Sequence, residues 1–462
     1  MEILLSIFLV GYFYFKVVQF IYLFQIKEYR LDRLWCHLKE FGFVVNIWGE
    51  TKLILPKKST RNAIIFAIVM AFSSIMICGY YLNIELNQII SQILIITNLE
   101  QFSFINFLVW LGILPLIAFV LVGIACSISG IFVRYHREKI ITKARELIKS
   151  HSDTIFIGVT GSYGKTSAKD YIASILSAKF ETAKTDKNHN SDIGVALSIL
   201  KNLKKSTKYF VVEMGAYKKG EIKKICDLVH PKIGVITHIG NQHLGLFGSE
   251  ENLIKAKLEL MDSLPSKSMI FLGSDIVENF SNRLREDLEV VNVNNSTDVE
   301  QFSLSLAKYV SEKLGLSQDQ IETSIKKIAQ MPKRLIIKKN SLATIYNDMG
   351  SSTSEGILAL IDKIANDEIG KIKILVTKGI IELGSAKAEV YRKIISKSKE
   401  MKVKVIANDK LFKKYDDLIL FKSEEDLLQI LKNRYKKDVV LGIAGRYREG
   451  FEEKLYAIYD LN

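Results

Sequence analysis

The stretch Gly158-Val-Thr-Gly-Ser-Tyr-Gly-Lys-Thr166 follows the apolar run Thr154–Ile157 and precedes a helix-like segment that starts near Ser167. A bound triphosphate requires a strand, a glycine-rich turn and a helix in this order. The glycines let backbone N–H groups approach phosphate oxygens, and the helix N-terminus contributes partial positive charge. Lys165 would add a full positive charge, and Thr166 would offer a hydroxyl to Mg²⁺. The stretch therefore predicts a nucleotide-phosphate loop.

The spacing of this loop departs from the general pattern, which has glycine where this chain has Val159. What remains is the narrower form Thr160-Gly-x-x-Gly-Lys-Thr166. A lone lysine in a glycine-rich turn is usually an ordinary exposed residue, but here the strand, the glycines, the Gly-Lys-Thr triplet and the helix coincide. We therefore predict that the loop binds ATP. The predicted phosphate-binding residues are Gly161, Ser162, Gly164, Lys165 and Thr166.

The composition divides the chain into two unlike parts. Of its 462 residues 48% are apolar, but residues 1–133 contain long uncharged runs whereas residues 134–462 are rich in lysine. The net charge of +14 could suggest nucleic acid, yet the chain has no aromatic-interleaved basic motif and no recognition-helix signature. The four cysteines lie far apart and form neither metal-ligand spacing nor a disulfide framework. We expect reduced cysteines and no nucleic-acid partner.

Apolar segments in the first part predict about three transmembrane helices. Asn62–Ile84 and Phe104–Val133 carry no charge and are long enough to cross about 30 Å of hydrocarbon. Ile3–Ile26 is interrupted only by Lys16. A signal peptide is the competing interpretation of that segment, but no small-residue cleavage site follows it. The segment Leu86–Thr97 is too short to span and is expected to lie at the membrane interface.

Loop charges orient these segments. Lysine and arginine are abundant between the first and second segments and after the third, whereas the loop between the second and third carries only Glu85 and Glu100. By the positive-inside rule, the N-terminus faces out and everything after Val133 faces the cytoplasm. The sequence thus predicts a multi-pass protein of the cell (inner) membrane whose phosphate loop lies where ATP is available.

The rest of the chain alternates strand-like and helix-like segments, which favours an α/β fold with a mostly parallel sheet covered by helices. The predicted order is a membrane region (1–133), a connector (134–152), a central P-loop domain (153–330) and a smaller Rossmann-like domain (331–462). The central strands are predicted at Thr154–Thr160, Tyr209–Glu213, Ile233–His238 and Met269–Leu272, and those of the last domain near 342–347, 371–377, 402–407, 417–421 and 438–443.

Three residues of the central domain could carry chemistry. Glu213 ends an apolar strand, and in a parallel sheet that end lies beside the phosphate loop, where a carboxylate could hold Mg²⁺. The alternative is a solvated carboxylate. His243 follows the next strand and would by itself more often be an ordinary loop histidine. Lys257 lies in a helix-like segment where lysines are normally surface residues, and nothing in the local pattern separates it from Lys255.

Several blocks in register resemble the central and C-terminal domains of the Mur ligases, the ATP-dependent amide ligases of peptidoglycan precursor synthesis. The similarity is greatest to the branch that adds D-alanyl-D-alanine. The blocks run in family order over roughly residues 154–450, and together they are far more specific than any one alone. They are Thr160–Thr166, Thr185–Gly194, Glu213–Ile222, Gln242–Gly248, Ile254–Glu259 and Ile381–Gly384.

The resemblance implies roles for these residues. Lys165 would contact the ATP phosphates, Thr166 and Glu213 would hold a first Mg²⁺, and His243 would join a second. Lys257 matches a family lysine that CO₂ carbamylates, which turns a cation into a metal-binding anion. The resemblance also implies acceptor-substrate contacts by Thr185, Asn188 and Asn190 and nucleotide contacts by Arg334 and Asp348.

The implied reaction begins when a substrate carboxylate attacks the γ-phosphate, giving an acyl phosphate and ADP. An amine then attacks the acyl phosphate. Cations and a lysine would neutralise charge on the transferring oxygens, and the two soluble domains would close over the substrates. The expected partners are ATP, a peptide-bearing cell-wall precursor that is UDP- or lipid-linked, and an amino acid or D-Ala-D-Ala-like dipeptide.

The chain departs from the family pattern in three places. Membrane segments replace the UDP-binding N-terminal domain. The His-Asn segment that helps to seat the base has no clear counterpart in Asn292–Ala307, which looks shortened. The family motif Asp-x-Tyr-Asn-Ala-Asn-Pro reads Asp348-Met-Gly-Ser-Ser-Thr-Ser354, so only its aspartate remains. Phosphate and metal chemistry therefore look intact, whereas base contacts look degenerate, and the acceptor is hypothesised to be lipid-linked.

Other functions share parts of this pattern. A folylpolyglutamate-synthase-like ligase has the same scaffold, but the block at Glu213 and the spacing from His243 to Lys257 favour the Mur ligases. A MurT-type amidotransferase subunit would need a cysteine-rich zinc insertion that four scattered cysteines do not supply. A membrane-tethered pseudoenzyme, acting as a scaffold or nucleotide sensor, is favoured only by the altered base-binding motifs. A transporter is disfavoured because Lys16 is the only intramembrane charge.

Overall fold

The computed structural model describes residues 2–49, 55–74, 99–240, 244–294, 296, 298–328, 335–349, 353–367, 372–380, 383, 386–409, 412 and 418–461. The chain divides into two compact units, Met1–Lys139 and Ile140–Asn462. The first is helical. The second contains two separate sheets, each with its own hydrophobic core.

The helical unit consists of apolar helices with one amphipathic helix between them. Its helices are α1 (Glu2–Ile26), α2 (Leu31–Phe41), α3 (Thr60–Ser74) and α4 (Leu99–Lys149), and a π-helical turn covers Val45–Gly49. Length and composition alone would let two helical stretches, Ile7–Ile26 and Leu108–Lys149, cross a membrane. α3 is apolar but shorter.

The apolar side chains of this unit point both inward and outward. Val17 and Phe20 of α1 are buried together with Val122 of α4. On the outer side of α4, Val120 is 55% exposed and Phe132 is 62% exposed. A helix that is apolar all round needs apolar surroundings on its outer side as well, which in a soluble protein would be core and in a membrane would be lipid.

The first sheet is entirely parallel and runs in the order β2-β3-β1-β4-β5-β6. Its strands are β1 (Ile155–Thr160), β2 (Thr182–Lys184), β3 (Tyr209–Glu213), β4 (Ile233–Ile236), β5 (Met269–Gly273) and β6 (Glu289–Val293). Its helices are α5 (Lys165–Leu176), α6 (Asp192–Asn202), α7 (Glu221–Val229), α8 (Leu244–Phe247), α9 (Glu250–Asp262), α10 (Ser274–Asn279), α11 (Val299–Lys313) and α12 (Gln318–Ile328).

This sheet is covered on both faces, which explains why its central strands are nearly continuous apolar runs. Side chains alternate between two cores: Phe156 and Phe210 point into one, and Ile157 and Val211 point into the other. The last turns of α4 contribute Ala144 to the first core. Because β1 and β3 are central and parallel, their carboxyl ends meet at one edge of the sheet.

The second sheet has the order β11-β10-β9-β12-β8-β7, parallel except for the antiparallel edge strand β7. Its strands are β7 (Ile336–Lys339), β8 (Ala343–Asp348), β9 (Ile372–Thr377), β10 (Lys404–Ala407), β11 (Ile419–Leu420) and β12 (Val439–Ala444). Its helices are α13 (Ser354–Ala365), α14 (Lys387–Glu400), α15 (Glu424–Arg434) and α16 (Phe451–Ile458).

The predicted fold class is confirmed: apolar helices precede a parallel-sheet domain and a Rossmann-like domain. Three edge strands, β2, β6 and β7, were not predicted, because short, partly exposed edge strands lack the continuous apolar signal of central ones. Of the predicted spans, the first and third fall on the two long apolar helices, and the second is described only as far as Ser74. The interfacial segment Leu86–Thr97 lies outside the described residues.

Candidate functional site

The phosphate loop lies at the carboxyl end of β1, where residues 161–164 lead into α5. The Ser162 backbone N–H donates to the His238 carbonyl oxygen (2.7 Å). The Lys165 ammonium donates to the carbonyl oxygens of Gly161 (2.7 Å) and Ser162 (3.0 Å). The loop is thus fixed to the segment after β4, and the Lys165 ammonium is held against the loop backbone.

Gly161 is the loop glycine at which any side chain would clash with neighbouring atoms. Its φ is +142°, and a Cβ there would lie 2.1 Å from Thr237 Oγ1 and 3.0 Å from the backbone nitrogen and oxygen of His238. Gly164, at φ +79°, begins α5, and a Cβ there would lie 3.1 Å from Ser303 Oγ. The glycines predicted from the spacing therefore have steric reasons to be glycine.

Replacing Gly161 with alanine should displace the loop from the segment after β4. ATP binding should weaken at least about tenfold, because the loop N–H groups would no longer point at the phosphates. Stability should fall by about 1–3 kcal/mol. Gly450→Ala is the matched control, since Gly450 also has a positive φ (+81°) but has no atom within 4 Å of the added Cβ. Calorimetric titration with ATP and thermal unfolding test this, and unchanged affinity in Gly161→Ala would contradict it.

Glu213 ends β3 directly beside the loop, with Cα in register with Val159 of β1. The side chain is only 3% exposed. Its Oε1 accepts a hydrogen bond from Asn190 Nδ2 (3.2 Å), and its Oε2 lies 3.3 Å from the Lys169 ammonium. The predicted position is therefore correct, and this carboxylate is not the solvated strand end of the alternative interpretation.

The loop between β2 and α6 packs on Glu213. Thr185 Oγ1 accepts the Glu213 backbone N–H (3.1 Å), and the Asn190 carbonyl accepts the Gly215 N–H (2.7 Å). Asn188 has a left-handed backbone with φ +65°, as a tight turn requires. Two of the three predicted acceptor-contact residues thus contact Glu213, Thr185 at its backbone and Asn190 at its carboxylate. Their contact with substrate stays a prediction.

Lys257 is buried in α9, with 2% of its surface exposed, whereas Lys255 on the same helix is half-exposed and pairs with Glu251 (3.1 Å). Burial and, second to it, the nearby positive charge of Lys165 lower the pKa of Lys257 to about 7, against the opposing effect of Glu221 and Glu259. The structure therefore separates two lysines that the sequence pattern could not. Lys257 carries an amine that is largely neutral above pH 7.

Glu259, two residues beyond Lys257, is bound to a neighbouring helix. Its carboxylate accepts the backbone N–H groups of Gly220 (2.5 Å) and Lys223 (3.0 Å) at the start of α7. Acidic side chains stabilise helix N-termini in this way. The contact fixes α9 to α7 and so fixes where Lys257 points.

Two polar residues beside the loop carried no recognised sequence signal. The His238 ring lies 4.4 Å from the ring of Tyr163, centroid to centroid, and its Nδ1 lies 2.5 Å from Asp275 Oδ2. Lys169, which binds Glu213, was also not predicted. Lys169 follows Lys165 by four residues, about one helical turn, so the two lysines lie on the same face of α5. That spacing is the signal from which Lys169 could have been identified.

The last domain contributes Asp348, at the end of β8, to a cavity of about 90 Å³ beside the loop. Tyr163 and Gly164 form the central-domain wall, and Thr353 lies in the wall of the last domain. Across this cavity, Lys363 pairs with Asp298 (3.1 Å). The cavity is smaller than a typical ligand pocket of at least about 300 Å³, so a nucleotide there would require these walls to separate.

Several predicted residues cannot be placed. His243, Arg334 and Ile381-Glu382 lie outside the described residues. Within the part of the chain that is described, no three His, Cys, Asp or Glu side chains come together as a metal-binding group. A magnesium ion that is shared with nucleotide phosphates needs only one or two protein carboxylates. Glu213 beside the loop therefore fits a Mg²⁺-nucleotide.

Comparison with known proteins agrees with this arrangement. The Mur ligase middle domain matches residues 159–342. The UDP-N-acetylmuramoyl-tripeptide--D-alanyl-D-alanine ligase of Bacillus subtilis is 28% identical over 353 residues, which cover 66% of this chain and 77% of that enzyme. The Escherichia coli enzyme of the same name is 37% identical over 119 residues, 26% of each chain.

Solved structures share the fold. MurF from Acinetobacter baumannii superimposes with a TM-score of 0.61 at 20% identity, covering 70% of this chain and 80% of that one. MurF from Thermotoga maritima, solved with ADP, gives 0.61 at 19% identity, covering 70% and 83%. Residues 159–342 are therefore similar to a Mur ligase middle domain, and the chain shares the fold of MurF ligases.

Proposed function

We propose that this protein is an ADP-forming amide ligase of cell-wall precursor synthesis that activates a substrate carboxylate with ATP. The observation that carries the proposal is the convergence, at one sheet edge, of the phosphate loop, the buried carboxylate of Glu213 and the buried amine of Lys257. Lys257 lies close enough to Lys165 for the two charges to interact. Binding of phosphate alone does not explain a buried lysine with a pKa near 7.

Each group has a part in the phosphoryl transfer. The backbone amides of the loop and the Lys165 ammonium bind the phosphate oxygens. Thr166, at the start of α5, and Glu213 would be the oxygen donors that hold Mg²⁺, and a bound Mg²⁺ would supply positive charge to the transferring phosphoryl group. His243 is proposed to join a second cation site. These groups position and stabilise charge, and the bond changes occur between the substrates.

Lys257 is proposed to act as a carbamate. Its neutral amine would add to the carbon of CO₂ with loss of one proton, so that an N–C bond forms and the side chain carries one negative charge. Only the neutral amine has the free electron pair for this step. Burial increases the neutral fraction of Lys257 by lowering its pKa to about 7. The product is an anion beside Lys165.

The names of the relatives support a proposal for the substrates. The Bacillus subtilis and Escherichia coli enzymes are named for joining D-alanyl-D-alanine to a UDP-linked muramoyl tripeptide. For this chain we propose a peptide-bearing cell-wall precursor as acceptor and an amino acid or D-Ala-D-Ala-like dipeptide as amine. Thr185, Asn188 and Asn190 are the proposed acceptor contacts, and Asp348 and Arg334 the proposed nucleotide contacts.

A membrane location is part of the proposal. Two long apolar helices, with exposed side chains such as Val120 and Phe132, support it. With the positive-inside orientation the ligase domains lie in the cytoplasm, where a lipid-linked acceptor would also be within reach of the membrane face.

This location has a direct test. The full chain should stay in the membrane pellet after alkaline carbonate and should leave it only with detergent, because two apolar spans insert effectively irreversibly. A fragment that starts at Ile140, the first residue of the second compact unit, should remain in the supernatant. Release of the full chain by carbonate would refute the anchoring.

A scaffold or nucleotide sensor is the second candidate, favoured by the altered motif after Asp348. A ligase and a scaffold differ in whether ATP is turned over to ADP. Solubilised protein with ATP, Mg²⁺ and bicarbonate should release ADP over many turnovers only when both an acceptor peptide and an amine are present. Tight ATP binding without ADP release on any UDP- or lipid-linked acceptor would favour the scaffold.

A further inference from the structure

Lys169 is a cation in a position where an apolar residue would be expected. It lies in α5 between residues that pack into the core, with Ala168 before it and Ile172 and Ala173 after it. Only 1% of the Lys169 side chain is exposed. Burial of an ammonium is strongly unfavourable unless the charge is paired, so the fold must gain something specific at this position.

The partner of Lys169 is Glu213. The ammonium lies 3.3 Å from Glu213 Oε2 and hydrogen-bonds to it, and both side chains are buried. A second carboxylate, Asp170, is 3.6 Å from the ammonium but is 35% exposed and lies closer to Lys184 (2.8 Å). The buried contact of Lys169 is therefore the carboxylate beside the phosphate loop.

Glu213 is held from three directions. Lys169 binds Oε2, Asn190 binds Oε1, and Thr185 accepts the backbone N–H. Each carboxylate oxygen has two lone-pair sites, so one donor on each oxygen still leaves room for a cation. The two side-chain contacts restrict rotation of the carboxylate, and the Thr185 contact fixes its backbone, but the carboxylate keeps its capacity to bind a metal.

We propose that Lys169 is a positioning residue that fixes the Glu213 carboxylate in the orientation needed to bind the metal–nucleotide complex. The inference rests on the proposed role of Glu213 in the ligase site. Groups that orient a metal ligand typically change metal affinity about 10–100-fold when they are removed. Charge repulsion between the Lys169 ammonium and a divalent cation would have the opposite effect, since removing the ammonium would then raise the metal affinity. The sign of the change in metal affinity therefore distinguishes the two effects.

The experiment measures metal binding rather than turnover. The full-length protein in detergent is titrated with Mn²⁺, as a stand-in for Mg²⁺, in the presence of a non-hydrolysable ATP analogue, and free Mn²⁺ is followed by electron paramagnetic resonance. Lys169→Met should weaken Mn²⁺ binding at least fivefold, whereas Lys169→Arg should stay within about threefold of the wild type because it keeps a cation beside Glu213. Nucleotide affinity in EDTA should not change.

Because Lys169→Met could disturb folding, Lys169→Gln, which keeps a donor for Glu213, is measured beside it and should weaken Mn²⁺ binding at least twofold. Equal or tighter Mn²⁺ binding in the folded Met or Gln variant would overturn the inference, since a merely structural lysine, or one that repels the metal, would give that result. No Mn²⁺-nucleotide binding by the wild type would instead overturn the proposed function.

Discussion

Lys257→Ala is expected to reduce amine-dependent ADP formation by about 10²–10³-fold, because it removes the group that is proposed to become an anion beside the phosphoryl-transfer site. The matched control is Lys255→Ala on the same helix, since Lys255 is half-exposed and pairs with Glu251. Lys255→Ala should keep nearly full activity. Equal losses in the two variants would show that the effect comes from the helix rather than from Lys257.

The same residue gives a spectroscopic prediction. Protein equilibrated with ¹³C-bicarbonate should show one carbamate carbon signal that is missing from Lys257→Ala and present in Lys255→Ala. The signal should decline as the pH falls through about 7, because burial lowers the pKa of Lys257 to about 7 and protonation below that value removes the free electron pair. A signal that persists unchanged at pH 5.5 would contradict this account of Lys257.

Glu213→Gln is expected to lower the free energy of unfolding by about 3–5 kcal/mol, because it removes the buried counter-ion of the Lys169 ammonium and leaves only the partly exposed Asp170 at 3.6 Å. Loss of activity in this variant would therefore mix loss of a metal ligand with loss of stability. The two effects separate in the double variant Lys169→Met/Glu213→Gln, which removes both charges and should recover most of the stability but none of the activity.

Denaturant unfolding of the wild type, both single variants and the double variant measures this coupling. A control pair is exposed: Lys393 and Glu389 on α14 lie 2.9 Å apart, and both side chains are 60% exposed. Their coupling energy should be small, because solvent screens an exposed ion pair. If the buried pair gave a coupling no larger than the exposed one, the burial argument would be wrong.

The parts of the site that could be predicted are those that local pattern and sheet geometry determine. A strand, glycines and a helix specify the phosphate loop, and a strand-end acid such as Glu213 lies beside it because carboxyl ends of parallel strands share one edge. The steric reason for Gly161 lies in the approach of Thr237, which is 76 positions away in sequence. The motif predicts a glycine at position 161, but only the fold explains why a side chain is excluded there.

What could not be predicted depends on contacts between distant segments. The burial of Lys257 arises from the packing of α9 against the sheet, and Lys255 has the same local pattern without the same environment. In the sequence Lys169 looks like an ordinary helix lysine, and only the fold shows that Glu213 at the end of β3 lies beside it. The edge strand β7 was missed because its side chains are mostly exposed and its pairing is antiparallel.

ADP release by the detergent-solubilised full chain with ATP, Mg²⁺ and bicarbonate decides whether the protein is a ligase. It is measured across UDP- and lipid-linked acceptor peptides with D-Ala-D-Ala, beside Lys257→Ala. We expect ADP formation over many turnovers that requires both acceptor and amine and that falls about 10²–10³-fold in Lys257→Ala. ATP binding without turnover on any acceptor, or sustained ADP release that is independent of the amine, would show that it is not a ligase.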